Sequence, residues 1–107
     1  MSAEQQRVFS PKGRIDGTNA AATEKELLAF LDSGEPRIVI DLGSVDYLSS
    51  AGLRVLLVAA KAARARAGKV VLAAPRPPVL EVLTMSGFDR IMSLEADVAS
   101  AGRALQG

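Results

Sequence analysis

Two short, β-branched and nearly unbroken apolar runs stand out along the chain, Arg37-Ile-Val-Ile-Asp-Leu42 and Lys69-Val-Val-Leu-Ala-Ala74. Such runs predict strands covered on both faces, as in a parallel sheet. Between them, Ala51 to Ala67 is rich in alanine and leucine, which are strong helix formers. Leu53, Leu56, Leu57, Ala60 and Ala63 share one face of that helix, Arg54, Lys61 and Arg64 lie off the stripe, and Gly68 ends it. Upstream, the stripe Leu27, Leu28 and Leu31 predicts a helix over about 20 to 33, capped by Thr18 or Asn19 and stopped by Gly34 and Pro36. Downstream, Pro75 to Pro78 forms a turn and opens a third helix with Leu80 and Leu83 inward. Gly87 caps that helix, with Phe88 as an apolar contact just beyond. A short strand over Ile91 to Leu94 and a helix over Glu95 to Gln106 follow, the helix with acids in its first turn and Val98, Ala101 and Leu105 inward.

The N-terminal portion has a fainter pattern. Val8 and Phe9 start a strand that runs toward Ile15 and is interrupted by Pro11, which places it at a sheet edge or a bulge. Residues 1–7 read as a flexible N-terminus and Gly43 to Ser50 as a polar loop. Strands alternating with helices imply right-handed βαβ units. The expected fold class is therefore α/β: a single domain with a mixed, mostly parallel sheet of about four strands flanked by helices, antiparallel at the N-terminal edge if anywhere. Its predicted core contains Leu27, Leu31, Val39, Leu42, Leu53, Leu56, Leu57, Val71, Leu80 and Leu83.

Composition narrows the chemistry. The 107 residues suit one compact domain. With 13 basic and 12 acidic side chains and only 4% aromatics, the chain lacks the one-sided basic excess of a nucleic-acid binder. It has no histidine and no cysteine, which removes Ser-His-Asp and Cys-His catalysis, disulfides and the usual zinc ligands. The apolar stretch from Leu53 to Ala60 contains Arg54 and is far short of the roughly 20 residues of a membrane span. The polar segment Met1 to Arg7 has no signal-peptide core, so the cytoplasm is the expected location. Catalytic residues, metal ligands and a cofactor are not expected.

In a parallel α/β fold, ligands and partners meet the loops that lead from strand ends into helices. That directs attention to Asp41 through Gly52, where Ser49 or Ser50 sits at the N-cap of the alanine-rich helix. Serine commonly caps helices because its oxygen accepts a free backbone N–H. The same place also suits regulation, since a helix N-terminus favours a phosphate, and phosphorylation adds about −1.5 to −2 charge. Asp16, Asp41 and Asp46 read as solvated loop carboxylates rather than a metal site. Gly13 to Gly17 lacks the lysine and serine of a phosphate loop. Lys61, Arg64 and Arg66 read as the wet side of a helix, and Met85 and Phe88 as core.

Four spaced segments carry a family resemblance: Gly13-Arg-Ile-Asp-Gly-Thr18, Val39-Ile-Asp-Leu42, Val45-Asp-Tyr-Leu-Ser-Ser-Ala-Gly-Leu53, and Pro78-Val-Leu with Met85-Ser-Gly-Phe-Asp89. Over residues 8–105 the chain resembles a STAS domain of the bacterial anti-sigma factor antagonist type. The family loop reads Asp-Ser-Ser/Thr-Gly-Leu and is phosphorylated on its first serine. The resemblance therefore implies phosphorylation at Ser50, with Ser49 in the family's aspartate position, Ala51 in the second Ser/Thr position, and Gly52 and Leu53 closing the motif. It also implies a partner-facing patch of Asp16, Thr18, Ser49, Ser50, Ala51, Gly52 and Leu53. The implied partners are an anti-sigma factor that is also a serine kinase, and a serine phosphatase. The unphosphorylated protein would hold the anti-sigma factor and free a sigma factor for transcription, and phosphorylation would end that binding. The ATP would belong to the kinase. The alternative is a STAS scaffold or subunit of a signalling or lipid-transport assembly, docking through the same loop without phosphorylation.

Overall fold

The computed structural model describes residues 7–106. Their element order is β1 (Arg7–Phe9), β2 (Gly13–Ile15), α1 (Ala20–Asp32), β3 (Arg37–Asp41), β4 (Val45–Leu48), α2 (Ser50–Ala65), β5 (Lys69–Ala73), α3 (Pro77–Met85), α4 (Phe88–Ile91), β6 (Ser93–Glu95) and α5 (Val98–Gln106). Four strands form one sheet in the order β1-β3-β5-β6, and β2 pairs with β4 in a second, two-stranded sheet. Every pairing among the described residues is parallel. The mostly parallel sheet is as expected, whereas the antiparallel N-terminal edge is not found. Val8 lies opposite Val39 with both strands running the same way.

The unbroken apolar runs of β3 and β5 follow from helices covering both faces. Ile38, Ile40, Val70 and Leu72 point into a cluster with Leu27 and Leu31 of α1, Val55, Leu56 and Ala59 of α2, and Val79 and Leu83 of α3. Val39, Val71 and Ala73 point the other way, onto Ala101 and Leu105 of α5. Alternate residues of one strand thus fill two separate cores. Most of the expected core is buried, Leu83 included, but Leu80 is 38% exposed, because α3 turns Val79 inward in its place. Leu53 and Leu57 are only partly buried, at the margin of the larger cluster. Met85, expected as core, stands 80% exposed at the end of α3, while Phe88 is buried.

Several boundaries differ from expectation. The segment from Val8 to Ile15 is two strands in two sheets, broken at Pro11, and β1 does take the sheet edge. Arg7, expected in a flexible terminus, belongs to β1, and the remainder of that terminus lies outside the described residues. Its guanidinium stacks on Phe30 at 4.5 Å and donates to the Phe30 and Glu35 carbonyls at the end of α1. Residues 45–48, expected as loop, form β4. The last helix starts at Val98 rather than Glu95, which belongs to β6, so its first turn lacks acids. Asp97 instead caps it by accepting the Ser100 N–H at 2.7 Å.

Helix α2 closes at Ala67, left-handed at φ 60°, and the Gly68 N–H reaches back to the Ala63 carbonyl at 2.7 Å. A Cβ on Gly68 would lie 1.9 Å from the Pro36 carbonyl oxygen, which itself accepts the Lys69 N–H at 2.9 Å. Glycine is therefore required there for clearance between the starts of β3 and β5. Among the described residues no helix is long and apolar enough to cross a membrane.

Candidate functional site

The small β2–β4 sheet delivers the serine loop to the surface. Strand β4 buries its two end residues, Val45 and Leu48, and turns Asp46 and Tyr47 outward, a departure from strict alternation that goes with the register shift at Gly13 and Arg14 of β2. Burial of Val45 and Leu48 anchors the strand, and the Ser49 N–H then donates to the Ile15 carbonyl at 3.0 Å, continuing the pairing with β2. Helix α2 starts at the next residue. Ser49 is its N-cap, with an extended backbone and a side-chain oxygen that accepts the Gly52 N–H at 3.3 Å. Ser50 is the first helical residue, and it is exposed. Of the two serines, one is thus engaged in capping and the other offers its hydroxyl to solvent.

Gly52 is buried directly beneath this turn. A Cβ there would come within 2.6 Å of Leu48 Cδ1 and 2.8 Å of the Ile15 carbonyl oxygen. The start of α2 can sit this close to β2 and β4 only because that side chain is missing. Ala51 and Leu53 flank it, both partly buried.

The turn after β2 borders the same surface. Asp16 Oδ1 accepts from the Thr18 N–H at 2.9 Å and the Thr18 hydroxyl at 2.6 Å, and Oδ2 accepts from Arg14 Nε at 3.3 Å. These bonds, those of Thr18 foremost, hold the Asp16 carboxyl below the usual carboxylate range. Asn19 precedes α1 but does not cap it with its side chain. Its amide instead spans the turn, accepting the Asp16 N–H at 3.0 Å and donating to the Arg14 carbonyl at 2.7 Å. The turn is rigidly built rather than loosely solvated.

Four further residues at this surface were not singled out as site residues from the sequence. Arg14 and Tyr47 are register partners across β2 and β4, and the guanidinium stacks 4.4 Å from the ring centroid. Arg76, from the loop before α3, donates to the Gly43 carbonyl at 2.8 Å and to Asp46 at 2.9 Å, so the loop before β4 is tied to the end of β5. Each of these contacts joins residues about thirty positions apart, and no local pattern reports such pairs.

Asp16, Asp41 and Asp46 do not converge. Asp16 serves Thr18, Asp41 accepts the Gly43 N–H at 2.9 Å, and Asp46 pairs with Arg76. Among the described residues no group of three potential ligands that could hold a metal is present. What the site offers is an exposed hydroxyl on a fixed helix start, while Arg14 with Asp16 and Arg76 with Asp46 are held in ion pairs and Tyr47 stands half-exposed on β4. Such a surface is suited to docking and modification.

The STAS domain family profile matches residues 2–101. BtrV of Bordetella bronchiseptica, itself named as a candidate anti-sigma factor antagonist, is 49% identical over 77 residues, which make up 72% of this chain and 66% of that relative, just under two thirds of its length. Among solved structures, an anti-sigma factor antagonist from Mycobacterium paratuberculosis superposes with a TM-score of 0.84 at 28% identity, covering 94% of this chain and 85% of that one. A protein from Thermotoga maritima, also named as a candidate anti-sigma factor antagonist, reaches a TM-score of 0.86 at 23% identity, over 94% and 86% of the two chains, and shows the shared fold.

Proposed function

Because the chain belongs to the STAS domain family, we propose that it is an anti-sigma factor antagonist whose binding is switched off by phosphorylation of Ser50. The observation that carries this reading is the division of labour at α2. Ser49 holds the helix start, and the adjacent Ser50 hydroxyl stands free at the surface. Modification there would leave the cap, and hence the fold, in place.

The unmodified protein binds an anti-sigma factor through the Ser49 to Leu53 turn and the Asp16 to Thr18 turn, which lets a sigma factor go. The anti-sigma factor is also the kinase. The bond from Ser50 Oγ to the γ-phosphorus of ATP forms as the bond from that phosphorus to ADP breaks, and the hydroxyl proton leaves to a base on the kinase. The phosphate gains from the helix N-terminus, so the domain tolerates it. The interface does not, because bulk and a charge of about −2 must be desolvated inside it. A serine phosphatase would reverse the step.

Mass spectrometry after incubation with the cognate kinase and ATP should show one phosphate, on Ser50, lost in Ser50→Ala. Phosphate on Ser49 alone would overturn the assignment. Calorimetry against the anti-sigma factor should show Ser50→Ala binding as the unmodified protein does and Ser50→Asp more weakly. Equal binding by both variants would instead support the scaffold role, with docking through this loop and no charge control.

A further inference from the structure

Ser50 and Arg54 both lie on α2, one helical turn apart, and both are exposed. The carboxylates of the neighbouring turn and of β4 are already engaged. Asp16 is held by Thr18 and Arg14, and Asp46 by Arg76. Arg54 takes part in none of the ion pairs among the described residues, which are Arg14 with Asp16, Arg66 with Asp32 and Arg76 with Asp46. A free guanidinium therefore stands beside the one free hydroxyl of the serine turn.

We infer that Arg54 is the built-in counter-ion of phosphorylated Ser50, so that modification withdraws a cation from the docking surface while adding an anion to it. This rests on the phosphorylation switch proposed above. Residues four apart on a helix have Cβ atoms about 5–6 Å from each other, and an anion N-terminal to its cation is the more favourable order. Arginine's planar fork suits two phosphate oxygens at once. In the unmodified protein Arg54 is available to a carboxylate of the partner. Once Ser50 is phosphorylated, Arg54 turns to its own chain, and that carboxylate faces a phosphate instead.

The test uses the full chain with phosphoserine placed at position 50 by genetic encoding, which needs neither kinase nor partner. The second ionisation of the phosphate, ordinarily near pH 6, is followed by phosphorus NMR in the otherwise unaltered chain and with Arg54→Gln or Arg54→Lys. Paired with Arg54, the phosphate should titrate at lower pH than in Arg54→Gln, with Arg54→Lys in between. Phosphorylation should also raise the melting temperature more in the chain that keeps Arg54 than in Arg54→Gln. Identical titration in all three chains would overturn the inference. A kinase that ignores Ser50 would sink the switch and leave this titration unaffected, so the two failures are separable.

Discussion

The Ser49 hydroxyl accepts the Gly52 N–H at 3.3 Å, and this bond gives the two adjacent serines different roles. Because the cap satisfies a donor of the first turn, Ser49 contributes to stability and leaves Ser50 free to vary. Ser49→Ala should therefore lower the unfolding free energy by about 1 kcal/mol, within the usual range of about 0.5–2 for a lost cap. Ser49→Asp should keep it, since a carboxylate caps as well and also favours the helix N-terminus. Urea unfolding of the three proteins checks this, and a fully stable Ser49→Ala would show that the cap contributes nothing.

Gly52 is a position of clearance. A Cβ at 2.8 Å from the Ile15 carbonyl oxygen meets backbone, which cannot swing aside as a side chain tip does. Gly52→Ala should cost about 1–3 kcal/mol as β2 and α2 are forced apart. The same shift moves Ser49 and Ser50, so partner binding should fall along with the melting temperature. A variant as stable as the parent would mean that the helix start lies further from β2.

The Thr18 and Arg14 bonds to Asp16 favour its ionised form and so depress its folded pKa relative to the unfolded chain. Stabilisation from this group is complete above the unfolded value, about pH 4, and is lost as pH falls through the folded one. Asp16→Asn should melt below the parent at neutral pH, and the gap should close in strong acid, where Asp16 is protonated. Asp97, depressed by its bond from the Ser100 N–H, loses its contribution over the same direction of pH in both proteins and cancels in the comparison. A gap that is constant across the titration would disprove the linkage.

Leu56 is 2% exposed within the larger core, and Leu80 is 38% exposed on α3. Leu56→Ala should cost roughly 2–5 kcal/mol because it leaves a cavity. Leu80→Ala should cost on the order of 1 kcal/mol or less, since its side chain is only partly withdrawn from water. Chemical denaturation of the two variants measures the difference, and equal losses would place Leu80 in the core after all.

Elements whose signal is local could be read from the residues alone. The strands at 37–41 and 69–73 announce themselves because both faces are buried, which demands a continuous apolar run whatever the neighbours are. Helix α2 is likewise legible from its alanines and its stripe, and the serines at its start from the chemistry of caps. Strand β4 was not legible. Only Val45 and Leu48 are buried in it, and its partner β2 lies about thirty residues away, so its outward Asp46 and Tyr47 look like loop. The parallel course of β1, the choice of Ser49 over Ser50 as cap, and the pairs Arg14 with Tyr47 and Arg76 with Asp46 were decided only in three dimensions. Propensity and periodicity act over a turn or a strand, whereas strand direction and side-chain pairing depend on which distant segment fills the adjoining space.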